Sequence, residues 1–265
     1  MNYKEIISSI TNKDLQPVYF LIGEEPYYID KLANAFAKNV LSTEEQELNQ
    51  VILYGKEIET AQAIAEAKQF PFGSHKRVVI VKEAQHLKDI DTLDAYLDNV
   101  QPSTLLVICY KGKSLDKRKK FGKTLASKCV VFESKKLYDT KIPSWINSYI
   151  KEKGFKIDHS ATAVLAEYIG ADLSKITNEL EKLMIVVKKE EQITTALIEY
   201  HIGISKDYNV FELQNALSKK EVLKANKIIN HFAANPKDHH IVPTLGALFS
   251  YFQKIMVYHF LEDKS

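Results

Sequence analysis

The sequence predicts an α/β N-terminal domain built on a five-stranded parallel sheet, followed by all-α domains. Three observations carry this. Five apolar runs of strand length lie before Tyr138, with stretches of helical periodicity between them. The runs are continuously apolar rather than alternating, which is the pattern of strands covered on both faces. After Tyr138 strand-like runs become rare, and apolar residues recur every three or four positions.

The first run is Pro17-Val18-Tyr19-Phe20-Leu21-Ile22, followed by Gly23-Glu24-Glu25-Pro26 and an amphipathic stretch to Leu41. The second, Val51-Ile52-Leu53-Tyr54, precedes an Ala-rich helix over Glu59–Lys68. Val78-Val79-Ile80-Val81, Thr104-Leu105-Leu106-Val107-Ile108-Cys109 and Val130-Val131-Phe132 complete the set, with helices near Ile90–Asn99 and Asp116–Ser127. Beyond Tyr138, Trp145, Tyr149 and Ile150 share a helical face. Helices are expected near His159–Ile169, Leu173–Val187, Val210–Leu217, Glu221–Ala233 and His240–Leu261. A division near Ser205 splits this helical half in two, at the connection-like Ile202-Gly203-Ile204-Ser205.

Composition narrows the function. With 265 residues, 45% of them hydrophobic, the chain has material for one or two real cores and is not disordered. Its 9 glycines and 7 prolines argue against a fibrous or Gly/Pro-rich all-β protein. Cys109 and Cys129 lie in apolar stretches and form neither a disulfide framework nor a zinc site. No leader-like start and no long apolar run is present, so the expectation is a soluble, cytoplasmic protein with no membrane partner.

Net charge is only +2, but its distribution is uneven. Lys111 to Lys136 carries ten basic and two acidic residues, a local +8 that leaves −6 for the rest. Arg77 and Arg118 are the only arginines, so bidentate recognition of carboxylate or phosphate is confined to two places.

Catalytic motifs fail one by one. The loop after the first strand stands where a parallel α/β sheet places phosphate. A phosphate loop needs glycines and a Lys-Ser/Thr pair, whereas Gly23-Glu24-Glu25-Pro26-Tyr27-Tyr28 supplies two carboxylates and a proline. Lys111-Gly112-Lys113-Ser114 has the right ending, yet the motif's first glycine would fall at Val107 inside a strand. Lys82 takes a position where a nucleotide hydrolase would hold Mg²⁺ with an acid. His239 and His240 are adjacent and point about 100° apart on a helix, which makes them poor joint ligands. No catalytic residue, cofactor or metal ligand is assigned.

Two segments remain. Gln69-Phe70-Pro71-Phe72-Gly73 follows the Ala-rich helix, where Pro71 stops the helix and Gly73 allows a turn. Its phenylalanines are either a plug on the sheet edge or an aromatic anchor for another protein. Leu115-Asp116-Lys117-Arg118-Lys119-Lys120-Phe121 opens a helix with Ser114 or Asp116 as N-cap. It is either a solvated charged face or a phosphate-contacting patch.

The segments Pro17–Asp30, Phe70–Val81, Leu115–Lys120, Gly170–Leu183 and Asn209–Leu213, with Trp145 and Tyr149, resemble in order the delta subunit of the bacterial DNA polymerase III clamp loader. The resemblance implies an AAA+-like fold lacking ATPase function, in a non-catalytic subunit of a DNA polymerase holoenzyme. Residues 1–138 would be the AAA+-like clamp-binding domain, 139–205 a small helical lid, and 206–265 a partial helical collar. It implies that the subunit binds a sliding clamp and opens one ring interface. It also implies partnership with the other loader subunits and with primed DNA during replication.

Carried over by position, the clamp-binding residues are Gln69, Phe70, Pro71 and Phe72, although the family often has leucine where Pro71 stands. Candidate DNA contacts are Lys117, Arg118, Lys119 and Lys120. The family's third domain continues through further helices, so the expectation is a truncated chain. Two other classes compete: an active P-loop hydrolase, disfavoured by Gly23–Tyr28, and a stand-alone nucleic-acid-binding protein using the 111–136 segment.

Overall fold

The computed structural model describes residues 1–114, 116, 118–202, 209–236 and 239–260. Lys117 and the division expected near Ser205 lie outside these residues. The chain forms two compact units, Met1–Leu137 and Tyr138–Ser265.

In the first unit the elements run α1 (Tyr3–Asn12), β1 (Val18–Gly23), α2 (Pro26–Asn39), α3 (Thr43–Asn49), β2 (Gln50–Tyr54) and α4 (Thr60–Lys68). They continue with β3 (Arg77–Lys82), α5 (Leu93–Leu97), β4 (Thr104–Lys111), α6 (Lys120–Lys128) and β5 (Val130–Ser134). The five strands are all parallel, in the order β2-β3-β4-β1-β5.

The continuous apolar runs are explained by burial on both sheet faces. Tyr19, Leu21, Val78, Ile80, Leu105, Val107 and Cys109 point to one face, where Ile29, Leu32 and Phe36 of α2 and Ile6 and Ile10 of α1 cover them. The alternate residues, Val18, Phe20, Ile22, Val79, Val81, Leu106 and Ile108, pack with Ala63, Ala67, Leu93, Tyr96, Leu97 and Leu125. Two-sided burial removes the polar alternation that a half-exposed strand would show.

In this unit two helices lie outside those expected from the sequence. α1 is set by a capping box in which the Asn2 side chain accepts from Glu5 N, and Ile6 and Ile10 fill one face. α3 repeats the device with Ser42 and Glu45. α6 starts at Lys120 rather than Asp116 and has no side-chain cap. The Asp116 carboxylate instead accepts from the Arg118 backbone N–H and guanidinium, so it does not cap.

In the second unit the elements are α7 (Ile142–Glu152), β6 (Lys156–Ile157), α8 (His159–Ile169), α9 (Leu173–Val186), β7 (Gln192–Ile193), α10 (Thr195–Ile202), α11 (Val210–Ser218), α12 (Val222–Ala234) and α13 (Ile241–Phe260). Ile142, Ile146 and Ile150 of α7 are buried, as are Leu173, Ile176, Leu180 and Leu183 of α9. Trp145 and Tyr149 flank that face and stack on each other at 5.4 Å. β6 and β7 pair over only two residues each, too short to show in an apolar pattern. Leu213, Ala216, Ala225 and Ile228 make a small core between α11 and α12, whereas α13 has no buried residue. Among the described residues no helix is long and apolar enough to cross a membrane.

Candidate protein-docking site

α4 ends at Lys68 because Gln69 turns extended (ψ 147°) and Pro71, two residues on, has no N–H to continue the ladder. The chain then loops from Gln69 to Lys76 before entering β3. Phe70 is 77% exposed and Phe72 73% exposed, so neither plugs the sheet edge. Pro71 is half-buried between them, and Gln69 is exposed. Gly73 takes φ +63°, a left-handed turn that L side chains rarely adopt.

The loop is tied to the domain along its length. At its start the Thr104 hydroxyl donates to the Gln69 carbonyl at 3.2 Å. In the middle the Phe72 N–H donates to Asn49 Oδ1 at 2.6 Å, and Asn49 Nδ2 donates to the Phe72 carbonyl at 2.9 Å. Further on, the Ser74 hydroxyl donates to Glu45 Oε1 at 2.7 Å. The Ser42 amide, and after it the Ser74 hydroxyl, holds the Glu45 carboxyl below its ordinary value. At the end of the loop Lys76 Nζ donates to the Pro102 carbonyl at 3.0 Å. Two aromatic side chains therefore stand in solvent on a backbone held in place, which suits an anchor for a pocket on another protein.

Sequence reasoning singled out the aromatic tip but missed the residues that hold it. Glu45 was readable as the fourth residue of a Ser-x-x-Glu capping box. Asn49 and Thr104 carried no signal, since they lie 23 and 35 residues from the backbone groups they bind.

The basic segment is laid out differently. Arg118 has 92% of its side chain exposed, yet Nε donates to Asp116 Oδ1 at 3.0 Å and an Nη to Oδ2 at 3.3 Å. Its fork is thus engaged by the chain's own carboxylate, and Arg118 in turn holds Asp116 below the usual carboxylate range. Lys119 and Lys120 are exposed at the start of α6, the end where a helix dipole disfavours cations. At the other end of α6, Lys128 pairs with Asp98 and lowers its pKa.

The place of a phosphate loop is filled. Gly23 has φ +149°, and a Cβ there would fall 1.9 Å from the Ser134 carbonyl oxygen. Glu25 is buried at the N-cap of α2, and its Oε1 accepts from Tyr27 N at 3.0 Å. Its own N–H donates to the Ser134 carbonyl at 3.3 Å, and Pro26 has no N–H to give. Of the amides at the start of α2, those of Glu25 and Tyr27 are therefore spent and Pro26 has none to offer a phosphate. Lys82 Nζ lies 3.5 Å from Asn34 Oδ1, and Lys111 pairs with Asp30. Among the described residues no group of three His, Cys, Asp or Glu could hold a metal ion. His239 stacks on Phe232 at 4.4 Å.

A five-stranded parallel sheet in the order β2-β3-β4-β1-β5, helices on both faces and a self-filled phosphate loop define an AAA+-like module without a nucleotide cradle. The sequence model of the family described as DNA polymerase III, delta subunit, matches residues 19–135. DNA polymerase III subunit delta of Bacillus subtilis is 26% identical over 227 residues, covering 82% of this chain and 65% of that protein. The probable DNA polymerase III subunit delta of Aquifex aeolicus is 26% identical over 96% of this chain and 74% of its own length. The solved Bacillus subtilis DNA clamp loader delta protein superposes with a TM-score of 0.65 at 26% identity, covering 88% of this chain and 71% of that one. Residues 19–135 thus match the DNA polymerase III delta-subunit family, and the chain is similar to delta subunits over most of its length. It spans just under two thirds of the length of the Bacillus relative.

Proposed function

We propose that this chain acts as a clamp-loader subunit that binds a ring-shaped sliding clamp through Gln69, Phe70, Pro71 and Phe72. It would open one ring interface for loading onto primed DNA during replication, in company with the other loader subunits in the cytoplasm. In this reading residues 1–138 are the clamp-binding domain, 139–205 a lid and 206–265 part of a collar. Nucleotide hydrolysis is left to other subunits, and Lys119 and Lys120, with Lys117 and Arg118, supply at most a modest contact to DNA.

The observation that carries the reading is the pair of solvent-exposed phenylalanines on a tethered loop. Ring opening then needs no chemistry. A subunit that prefers a clamp with one relaxed interface shifts the ring toward that form by its difference in affinity.

The test is Phe72→Ala, measured for binding to the purified cognate clamp beside its melting temperature. An interface anchor of this kind carries about 2 kcal/mol or more, roughly a thirtyfold loss in affinity. With Phe72 already in solvent, the melting temperature should hardly move. Normal clamp binding by Phe72→Ala overturns the reading.

A further inference from the structure

Asn49 is the last residue of α3 and is only 1% exposed, although it belongs to a polar residue type that is mostly found in water. Its carboxamide is spent on one residue: Oδ1 accepts from the Phe72 N–H at 2.6 Å, and Nδ2 donates to the Phe72 carbonyl at 2.9 Å. The side chain behaves toward Phe72 as a neighbouring strand would, satisfying both backbone groups of one residue at once.

No other residue type does this from the same place. Asp keeps the acceptor but loses the donor and sets a charge against a carbonyl. Gln is one methylene longer than the gap. Ala leaves both backbone groups of Phe72 to water. The tether also lies at the residue whose side chain is 73% exposed, not at the base of the loop.

We propose that Asn49 is a positioning residue for the docking loop. By holding the Phe72 backbone in its bound form before the partner arrives, it removes ordering entropy that binding would otherwise have to overcome. The inference rests on the docking reading of Phe72 and deepens it, since it places a determinant of affinity outside the loop, on a residue that itself touches no partner.

The experiment is a double-mutant cycle of Asn49→Ala and Phe72→Ala on the full chain, read as affinity for the purified cognate clamp. Amide hydrogen exchange of the loop is followed in parallel without clamp. Asn49→Ala alone should weaken binding about tenfold, and exchange at the Phe72 N–H should quicken at least as much. In the Phe72→Ala background the Asn49 change should cost little more, because what it positions is gone. A generally destabilising role would instead multiply the two losses.

Should Asn49→Ala fail to fold, Asn49→Asp keeps the volume and removes the donor, and the same loss is expected of it. Wild-type affinity in either variant, fully multiplicative losses, or unchanged exchange at Phe72 would each overturn the proposal. Unchanged clamp binding by Phe72→Ala alone would overturn the docking reading instead. The exchange measurement would then still decide whether Asn49 holds the loop.

Discussion

Arg77 and Glu66 form an ion pair at the base of the loop that carries Phe70 and Phe72, with Nη2 to Oε2 at 2.5 Å, and Arg77 Nε also donates to the Glu66 carbonyl at 3.2 Å. This joins the last turn of α4 to the first residue of β3, the two elements from which the loop springs. One of the chain's two arginines is thereby used internally, while its guanidinium is almost wholly buried.

Arg77→Ala strands the Glu66 carboxylate and loosens the loop base. Losing one partner of a buried pair costs about 3–5 kcal/mol, and the lower end applies because Glu66 is a quarter exposed. Arg77→Lys keeps the charge but not the fork, and should fall between the two. Chemical denaturation of the three proteins checks the order, and equal stability of Ala and wild type would refute it.

Gly23 stands where a phosphate loop would begin, but its role here is close packing against Ser134. Gly23→Ala drives a Cβ into a backbone carbonyl at a φ that L residues rarely adopt. A loss of at least about 3 kcal/mol is expected, seen as a fall in melting temperature of roughly 6–12 °C or as insolubility. In the wild-type protein, calorimetry with ATP and Mg²⁺ should give no binding heat, because the amides around Glu25 are already committed. Micromolar affinity with turnover would contradict this account of the loop.

The basic segment makes its own prediction. Reversing Lys119 and Lys120 to Glu should leave the proposed clamp binding intact at moderate salt, since both lie at the start of α6 rather than on the Gln69–Lys76 loop. Any DNA binding they support acts through counterion release and should fall steeply with salt. Arg118 should matter less than its neighbours while Asp116 holds its fork. Tight DNA binding by the isolated chain without clamp would favour a stand-alone nucleic-acid-binding protein.

The sheet was legible because burial on both faces leaves strands such as β4 with an unbroken apolar run, Leu105 to Cys109. α3 was not, since its seven residues include a single apolar one, Leu48, whereas α1 was passed over although Tyr3, Ile6, Ile7 and Ile10 stand at helical spacing. Their capping boxes, Asn2 with Glu5 and Ser42 with Glu45, were nonetheless written in the sequence. The tip phenylalanines could be found from sequence, but whether they pointed inward or outward could not. The contact that ties the Phe72 backbone to the domain, from Asn49, spans 23 residues and leaves no local pattern. The same limit hid the engagement of Arg77 by Glu66. By contrast Asp116 and Arg118 are two residues apart, and their pairing could have been weighed against the expected N-cap.

The cysteines supply a pH-dependent test. Burial pushes the thiols of Cys109 and Cys129 up to about 12, and nearby Asp30 and Asp94 respectively add to the shift. A thiol whose folded pKa is raised binds its proton more tightly in the native state. Its contribution is therefore complete below the unfolded value of 9.0 and is lost as pH rises from there toward 12. The native protein should thus lose stability progressively above pH 9, and a double Cys→Ala variant should show a shallower decline. Because the thiolate is the reactive form, neither cysteine should react quickly with a disulfide reagent at pH 8 in the folded protein, and both should react once it is unfolded. Cys129, the less buried of the two, should be the first to react as the pH is raised. Fast stoichiometric labelling of Cys109 at pH 8 without unfolding would mean that the sheet face under α2 opens far more readily than its packing implies.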